Sequence, residues 1–353
     1  MSKYIIKALK SLVPYTPGEQ PQDKKYIKLN TNESPFPPSK KAVKFAVREA
    51  EKLMLYPDPD CKELCEKLAD YYGVKKENII VTNGSDEVLN FAFLAFCDEK
   101  TPAAFPDITY GFYKVFAEIN GVPFEEIPLR DDFSLNVADY CGIKKTIFIA
   151  NPNAPTGIAL ALSEIEKIVK SNPENIVVID EAYVDFGAES AVKLTEKYDN
   201  LLVTQTFSKS RSMAGARLGV GIGNAEIIKD LNTIRFSTNP YNINRMTLSC
   251  GIGVLEDDEY TKKNCQTIIK NREYLCESLK ALGFSFTDSV TNFVFARHNS
   301  ADGEFLYKSL KEKGILVRHF NKDRLKEYIR ITIGTKKQME TLVKTLKSIL
   351  EEL

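Results

Sequence analysis

The sequence predicts an α/β fold: a largely parallel sheet covered by helices on both faces, followed by a smaller α+β domain. Two observations predict it. Short apolar runs first alternate with helical stretches, which is typical of a sheet built from strand–helix units. The pattern then changes to a long, broken helical region at about 241–282, followed by short strands and helices. We therefore divide the chain into an N-terminal arm (1–30), a large domain (31–240) and a small domain with a connecting helix (241–353).

The predicted elements follow from apolar spacing and from cap residues. Ser39 is a good N-cap for the first long helix, and Gly73 ends the second. The predicted strands of the large sheet are 79–81, 103–105, 123–127, 146–150, 176–179, 201–203 and 218–222. Its predicted helices are 40–53, 61–73, 87–96, 110–119 and 163–170. The small domain is predicted to contain strands 284–286, 293–296, 315–317 and 328–333 and helices 303–313 and 336–353.

Composition excludes several classes of function. The 353 residues include 48 basic and 48 acidic side chains, so neither a nucleic acid nor an anionic membrane is expected as the main partner. The sequence contains no apolar run of transmembrane length and no signal-peptide core, so we expect a soluble cytoplasmic protein. Seven cysteines without a Cys-x-x-Cys pair are expected to be reduced thiols, and with two histidines we predict no metal site.

Lys209 lies in a polar segment between two apolar strands, where an α/β sheet usually carries its ligands. A partly desolvated lysine there loses its proton more readily and can form a Schiff base. Thr206, Ser208 and Arg217 surround it with hydroxyl groups and a fixed positive charge, which suits a phosphate. Taken alone, the lysine favours an ordinary solvated loop residue, and the rest of the chain reverses this preference.

Asp180 follows a four-residue apolar strand, at the end where a ligand would lie. A buried aspartate needs a cationic partner, and the protonated ring nitrogen of pyridoxal phosphate is such a partner. Tyr183, three residues later, could donate to the phenolic oxygen of that cofactor. The alternative for Asp180 is a helix N-cap.

Three further turns point to the same cofactor. Gly84, Ser85 and Asp86 form a glycine turn before a helix, where free backbone N–H groups and the helix dipole favour a phosphate, although both polar residues could simply be caps. Tyr110 begins a helix and could stack on a cofactor ring, or could be a core tyrosine. The segment NPNAPTG at 151–157 is an amide-rich, rigid turn after a strand.

On these residues the chain resembles the fold-type I pyridoxal-phosphate enzymes of the aspartate aminotransferase superfamily, and within it the histidinol-phosphate aminotransferases, over nearly its full length. The matching segments are LNTNESP, YPDPD, NGSDE, PDITYGFY, NPNAPTG, DEAYVDF, TFSKSRSMAGARLG, TNF and RITIG. The resemblance implies a large domain with a mostly parallel, seven-stranded type of sheet and pyridoxal 5'-phosphate as the cofactor.

The resemblance also assigns roles to residues. Lys209 would be the Schiff-base lysine and proton shuttle, Asp180 would pair with the ring nitrogen, and Tyr183 would contact the phenolic oxygen. Tyr110 would stack on the ring. The residues expected around the cofactor phosphate are Gly84, Ser85, Asp86, Thr206, Ser208 and Arg217.

The resemblance implies a homodimer in which Tyr56 reaches the cofactor phosphate of the neighbouring subunit. Arg330 takes the place of the arginine that grips a carboxylate in ordinary transaminases. Histidinol phosphate has no carboxylate, so phosphate recognition is expected here, and Tyr15, Asn32 and Arg318 are further candidates for substrate binding. Arg318 is also compatible with an ordinary surface residue.

One position departs from the superfamily pattern. An asparagine usually precedes Pro-Thr-Gly and bonds the phenolic oxygen, but this chain has Ala154 there. Asn153 is the remaining amide candidate for the cofactor, although neighbouring side chains of an extended segment face opposite sides. We expect Tyr183 to carry more of this interaction, and the pKa of the cofactor–lysine linkage to be perturbed without loss of activity.

The implied reaction is ping-pong transfer of an amino group between histidinol phosphate and 2-oxoglutarate in histidine biosynthesis. The alternatives on the same scaffold are threonine-phosphate decarboxylase and aromatic amino-acid aminotransferase, which the cofactor residues do not separate. A ligand-sensing domain of a transcription regulator is a further alternative. It requires a fused DNA-binding module, for which the residues before the core leave no room.

Overall fold

The structure is a computed structural model that describes residues 2–10 and 12–352. In these residues helices α1 to α10 are, in chain order, Lys40–Ala50, Lys62–Tyr72, Ser85–Phe96, Phe112–Ile119, Leu162–Ser171, Ala225–Thr238, Arg245–Leu255, Asp258–Ala281, Gly303–Glu312 and Lys336–Glu351. Strands β1 to β13 are Ile27–Lys28, Ile79–Thr82, Ala103–Pro106, Phe124–Ile127, Thr146–Ala150, Val177–Asp180, Leu201–Thr206, Gly219–Gly223, Phe284–Phe286, Phe293–His298, Ile315–Leu316, Arg318–His319 and Ile329–Thr332. None of the helices in the described ranges is both long and apolar enough to cross a membrane.

A seven-stranded sheet forms the centre of the fold, in the order β2-β8-β7-β6-β5-β3-β4. Strands β3 to β7 are parallel to one another, and β8 is antiparallel to both β7 and β2. The antiparallel strand follows from the connection: β7 passes into β8 through a short segment without a crossover helix, and such a connection returns the chain in the opposite direction. The predicted α/β fold with a mostly parallel sheet is confirmed.

The site lies where it does because of the register of the parallel strands. Ala150 at the end of β5 is paired with Asp180 at the end of β6, and Asp180 is paired with Thr204 of β7. The carboxyl ends of three buried strands therefore meet at one edge of the sheet, and the polar segments that follow them converge there.

A second sheet, antiparallel and four-stranded, has the order β12-β13-β10-β9. Its apolar core includes residues of α8, α9 and α10. The N-terminal segment runs along this part of the molecule: β1 pairs in parallel with β11, and Glu19 forms an ion pair with Lys311.

The long helical region predicted at 241–282 consists of two helices, α7 and α8, separated by Glu256 and Asp257. The two helices have different packing partners: α7 packs against α1 in the core of the large sheet, whereas α8 contributes to the core of the second sheet. Helix α6 was not predicted. Asn224 caps it by accepting a hydrogen bond from the backbone N–H of Glu226 at 2.9 Å.

Strand ends differ from the prediction by one residue in most cases. The largest difference is in β7, which continues to Thr206, three residues beyond the predicted end. Its polar residues remain in the sheet because their backbone groups pair with β8 as far as Gly219.

Candidate active site

A cavity of about 350 Å³ opens at the carboxyl edge of the large sheet. It brings together nine of the predicted site residues: Ser85, Asp86, Tyr110, Asp180, Tyr183, Thr206, Ser208, Lys209 and Arg217. Thr31, Glu33 and Ala154 also line it. One cavity therefore contains an amine, a buried carboxylate, a tyrosine hydroxyl and a group of potential anion donors.

Lys209 lies in the segment between β7 and β8 and is half-buried. Its Nζ donates to the backbone carbonyl oxygen of Thr31 at 3.3 Å and lies 5.8 Å from the centre of the Tyr183 ring. Among the described residues no carboxylate lies within ion-pair distance of this amine. A lysine held by a neutral carbonyl and an aromatic face is chemically available to a carbonyl compound in the cavity.

Asp180 is 4% exposed, and its two carboxylate oxygens differ. Oδ2 accepts a hydrogen bond from the hydroxyl of Tyr113 at 2.9 Å, whereas Oδ1 is buried and has no partner in the part of the chain that the structure describes. Burial raises the pKa of this carboxyl group to about 7, against the lowering effect of the Tyr113 hydrogen bond. A buried carboxylate oxygen without a partner is costly, so this site fits a ligand that brings a cationic N–H, such as a protonated pyridine nitrogen.

The start of α3 forms one wall of the predicted phosphate site. Gly84 has φ 79°, a conformation in which glycine is strongly favoured, and it turns the chain so that Ser85 and Asp86 begin the helix. A Cβ atom at Gly84 would lie 2.5 Å from Nη2 of Arg217, so a larger residue here would displace this guanidinium group. Ser85 and Asp86 line the same cavity as Arg217, and a helix start offers free backbone N–H groups to an anion.

Thr206, Ser208 and Arg217 form a further part of the cavity lining. The hydroxyl of Thr206 donates to Oγ of Ser208 at 2.9 Å, and Nη1 of Arg217 approaches the same Oγ at 3.5 Å. Nη2 of Arg217 pairs with Oδ2 of Asp86 at 2.9 Å, while the hydroxyl of Tyr110 donates to Oδ1 of Asp86 at 2.7 Å. The Asp86 carboxylate is thus neutralised and bound, and the hydroxyl groups and helix N–H groups remain suited to a phosphate.

The hydroxyl of Tyr183 is oriented by Asn32, whose Nδ2 donates to it at 2.9 Å. Because the Tyr183 oxygen accepts this bond, its own proton is available for an acceptor in the cavity. Asn32 is buried, and its Oδ1 accepts from the hydroxyl of Thr332 at 3.1 Å. The structure therefore places Asn32 behind Tyr183, whereas the sequence suggested contact with the substrate.

The structure does not bring Asn153 to the cavity. Its Oδ1 accepts from the hydroxyl of Thr109 at 2.8 Å, and its Nδ2 donates to the carbonyl oxygen of Ile108 at 2.9 Å and to Oγ1 of Thr156 at 3.0 Å. The amide is occupied in joining the 151–157 turn to the turn before α4. Ala154 lines the cavity in its place, so the expectation that Asn153 binds the cofactor has no support from this geometry.

Arg330 and Arg318 are direct cross-strand neighbours on β13 and β12. Nη2 of Arg330 donates to the carbonyl oxygen of Asn30 at 3.2 Å, and its Nε is buried without a partner in the described chain. Burial lowers the pKa of Arg330, and the positive charge of Arg318 acts in the same direction. Two adjacent guanidinium groups repel each other, and an anion between them would relieve this repulsion.

The N-terminal arm reaches this arginine pair. Arg318 donates from Nη2 to the carbonyl oxygen of Thr16 at 3.0 Å and from Nη1 to that of Pro17 at 3.2 Å. Tyr15 packs on Phe112, with ring centres 4.5 Å apart, and lies near Tyr110, with ring centres 6.4 Å apart. Tyr15 therefore lies close to the cavity, although it does not line it.

Tyr56 does not line the cavity of its own chain. Its side chain is 77% exposed and stacks on Tyr241, with ring centres 4.5 Å apart. This position is compatible with the predicted reach into a neighbouring subunit.

Sequence reasoning missed three residues of the site. Tyr113 binds Asp180, and its signal was its spacing from Tyr110, because residues three apart at a helix start share a face. Thr31 contributes a backbone carbonyl, for which no side-chain pattern exists. Glu33 lines the cavity and pairs with Lys28 at 2.7 Å.

Comparisons with known proteins agree with this geometry. The profile of the family "Aminotransferase class I and II" matches residues 24–346. The chain is 50% identical to histidinol-phosphate aminotransferase of Marinomonas sp. (99% of this chain, 100% of that protein) and 49% identical to that of Brachyspira hyodysenteriae (99% and 100%). The fold matches the crystal structure of histidinol-phosphate aminotransferase from Sinorhizobium meliloti in complex with pyridoxal-5'-phosphate, with a TM-score of 0.89 and 21% identity (100% of this chain, 99% of that one). The chain belongs to the class I and II aminotransferase family.

Proposed function

We propose that this chain is a pyridoxal-phosphate-dependent aminotransferase that exchanges an amino group between histidinol phosphate and 2-oxoglutarate. The observation that carries the proposal is one cavity in which an available amine, a buried carboxylate oxygen without a partner and an anion-binding helix start face each other. The substrate is inferred from the names of relatives that are 49% and 50% identical to this chain over 99% of its length.

Each residue has a defined task in this reaction. Pyridoxal phosphate, when bound, supplies an aldehyde that takes up the amino group and a ring that accepts the electron pair left by α-proton removal. Asp180 would hold the ring nitrogen in its protonated form through Oδ1, which has no partner among the described residues. Lys209 would hold the cofactor through Nζ and would carry the α-proton of the substrate. Tyr183, oriented by Asn32, would donate to the phenolic oxygen.

The phosphate of the substrate is assigned to the second sheet. Arg330 and Arg318 present adjacent guanidinium groups, and the buried Nε of Arg330 has no partner among the described residues. Tyr15 of the arm packs nearby, against Phe112 and Tyr110. Paired arginines bind phosphate through charge-assisted hydrogen bonds, and the absence of a carboxylate from histidinol phosphate leaves them available for it.

The proposal includes a homodimer in the cytoplasm. The dimer is supported by the exposed Tyr56 and by the exposed apolar side chains Val43, Val47, Leu53, Met54 and Leu55 near it in sequence. The cytoplasmic location is supported by seven free cysteines, because disulfides are rare in the cytosol.

The predicted division into an arm, a large domain and a small domain is retained in the proposal. It is supported by separate apolar cores around the two sheets.

The visible spectrum of the purified enzyme tests the proposal. The protein is loaded with pyridoxal phosphate and mixed with histidinol phosphate in the absence of a 2-oxo acid. We expect the absorbance of the lysine-bound cofactor to be replaced by that of its aminated form, and 2-oxoglutarate to restore it. A band that persists with this donor would contradict the substrate assignment. Release of carbon dioxide from threonine phosphate, or amination by phenylalanine alone, would favour the respective alternative.

Lys209→Ala separates the catalytic role from folding. This variant should lose turnover and keep its fold, while Lys145→Ala, at a surface ion pair with Glu125, should retain turnover. Transamination at the normal rate by Lys209→Ala would refute the central assignment.

A further inference from the structure

Hydrogen bonds between residues that do not line the cavity join the segment of Lys209 to the segment of Tyr183. Lys209 and Tyr183 face the cavity. Arg211 and Asp185, each two residues later, form an ion pair in which Nη1 of Arg211 lies 3.0 Å from Oδ2 of Asp185. The two groups proposed to contact the cofactor thus lie on segments that are tied together two residues further along the chain.

Arg211 is buried, and its guanidinium group lies against two aromatic rings. It is 3% exposed, and its guanidinium carbon lies 4.9 Å from the ring centre of Phe207 and 5.2 Å from that of Tyr71. Its Nε has no hydrogen-bond partner in the ranges that the structure describes. Burial of a guanidinium group is costly unless it is well paired, and an apolar side chain of similar volume would fill this space without that cost. Packing alone therefore does not account for an arginine here.

Asp185 is the common acceptor of the connection. The hydroxyl of Ser210 and the guanidinium of Arg211 both donate to its Oδ2. Asp185 belongs to the short turn that directly follows Tyr183. Movement of this carboxylate would therefore displace the Tyr183 segment and the Lys209 segment together.

The other side of the lysine segment is fixed separately. The hydroxyl of Ser212 donates to Oγ of Ser34 at 2.8 Å, and the backbone N–H of Met213 donates to the carbonyl oxygen of Phe207 at 3.0 Å. These contacts hold the segment against residues near Thr31 and close its turn, but neither reaches the Tyr183 segment. In the described structure, Ser210 and Arg211 make the side-chain hydrogen bonds that set the two segments against each other.

We propose that Arg211 and Asp185 are positioning residues that set the amine of Lys209 against the hydroxyl of Tyr183. The proposal rests on the proposed function, because both groups are taken to contact the same cofactor. It concerns the geometry of the reaction and not the affinity for the substrate, since neither residue lines the cavity.

A spectroscopic consequence follows. A hydroxyl that donates to the phenolic oxygen of the cofactor stabilises the deprotonated form of the cofactor–lysine linkage. If the Tyr183 hydroxyl is displaced relative to Lys209, this stabilisation weakens, and the pH midpoint of the visible absorbance change moves upward. A purely structural ion pair would change the melting temperature and leave this midpoint where it is.

The test uses the cofactor-loaded enzyme and three variants. Asp185→Asn keeps the shape and removes the charge, Arg211→Met removes the guanidinium, and Arg211→Lys keeps the charge. Lys67→Met is the matched control, because it removes a partly buried ion pair with Glu256 at 2.8 Å that lies outside the site. For each protein the absorbance is titrated with pH, and kcat, KM and the melting temperature are measured.

We expect Asp185→Asn and Arg211→Met to raise the absorbance midpoint by about half a pH unit or more and to lower kcat about tenfold, with KM within about twofold of the wild type. Arg211→Lys should recover part of both losses, and Lys67→Met should resemble the wild type. The double variant Asp185→Asn/Arg211→Met should lose no more than the stronger single variant, because the two residues act as one unit.

Variants that melt at lower temperature but keep the midpoint and kcat of the wild type would overturn the proposal. If Arg211→Met does not fold, Asp185→Asn and Arg211→Lys decide the question. A wild-type protein that shows no cofactor absorbance would instead refute the proposed function, and this outcome is distinguishable before any variant is made.

Discussion

The hydroxyl of Tyr113 donates to Oδ2 of Asp180 at 2.9 Å, and the other oxygen of this carboxylate, which lines the cavity, has no partner among the described residues. This bond has two effects. It fixes the orientation of Oδ1, and it stabilises the charged form of a group whose burial raises its pKa to about 7. Asp180, which would have to be ionised to pair with the ring nitrogen of the cofactor, therefore depends on Tyr113. This tyrosine lies three residues after Tyr110, which is the residue expected to stack on the cofactor ring.

Tyr113→Phe should impair catalysis without removing any group that contacts the substrate. Loss of one hydrogen bond to a carboxylate is worth about 1.5 kcal/mol, so we expect a roughly tenfold lower kcat. Because the carboxyl group loses a stabilising donor, its pKa should rise further, and the acidic limb of the pH–rate profile should move to higher pH. Measurement of kcat from pH 5 to 9 checks both effects.

Tyr140→Phe is the control for this variant. Tyr140 is also a fully buried tyrosine, but its hydroxyl has no partner within the described residues, so its removal should leave the profile unchanged. Equal profiles for Tyr113→Phe and the wild type would show that Asp180 does not need this donor.

Asp180→Asn should stabilise the cofactor-free protein at neutral pH. The pKa of the Asp180 carboxyl group is raised from its ordinary value of 3.8 to about 7. Between these pH values the native state keeps a proton that the unfolded state has lost. The free energy of unfolding of the wild type therefore falls as pH rises through this window, and above about pH 7 it stays at the lower value. Asparagine does not titrate. The free energy of unfolding of the variant should therefore increase relative to that of the wild type, by up to a few kcal/mol, as pH rises from about 4 to 7.

Urea unfolding of both cofactor-free proteins at pH 4.5 and pH 8 measures this difference. Glu181, whose pKa burial also raises to about 7, is present in both proteins and cancels from the comparison. Asp131→Asn, at an exposed position, should show no such pH dependence. A constant difference between Asp180→Asn and the wild type at the two pH values would contradict the raised pKa.

The parts of the fold and site that sequence could predict are those fixed by strand ends. Asp180 and Lys209 follow apolar strands, and the edge of a parallel sheet necessarily gathers such residues. The amide of Asn153 is bound outside the cavity for a local reason, because the direction of a side chain in a tight turn depends on hydrogen bonds made by residues such as Thr109, which lies 44 residues earlier. Asn32 was expected to contact the substrate. Its hydrogen-bond partner Tyr183 lies 151 residues away, so the sequence around Asn32 does not reveal this contact.

The errors in the helices have a similar origin. The break between α7 and α8 reflects two different packing partners, α1 and the second sheet, which a continuous helical pattern in the sequence does not distinguish. Helix α6 buries Ile227, Ile228, Leu231 and the charged Arg235 on one face, and the buried arginine obscures the apolar spacing on which a prediction depends.

Ala154→Asn should restore an amide at the phenolic oxygen of the cofactor. Ala154 lines the cavity beside Pro152, whereas the amide of Asn153 is bound elsewhere. An added donor stabilises the deprotonated form of the cofactor–lysine linkage, so the pH midpoint of its absorbance should fall by about half a unit or more. A pH titration of the visible spectrum measures this shift. Asn153→Ala is the matched variant; it should leave the midpoint unchanged, and an equal shift in both variants would indicate an effect of the turn and not of the amide.

Arg330→Met should reduce the enzyme's preference for a phosphorylated substrate. The guanidinium of Arg330 has a buried Nε without a partner in the described chain and lies opposite Arg318 in the sheet register. A hydrogen bond to a charged group is worth about 2 kcal/mol, or roughly thirtyfold in kcat/KM. The ratio of kcat/KM for histidinol phosphate to that for histidinol should therefore fall about thirtyfold or more. Arg318→Met should lower it less, because that guanidinium already binds the carbonyl oxygens of Thr16 and Pro17.

Arg324→Met is the control for this ratio. Arg324 lies six residues before Arg330 and pairs with Asp107 at 3.3 Å, so its removal takes away a positive charge from the same region without touching the arginine pair. If long-range charge alone attracted the phosphate, Arg324→Met would lower the ratio as much as Arg330→Met and more so at low salt. A reduction confined to Arg330→Met and Arg318→Met, and little affected by salt, identifies direct hydrogen bonds to the phosphate as the source of the preference.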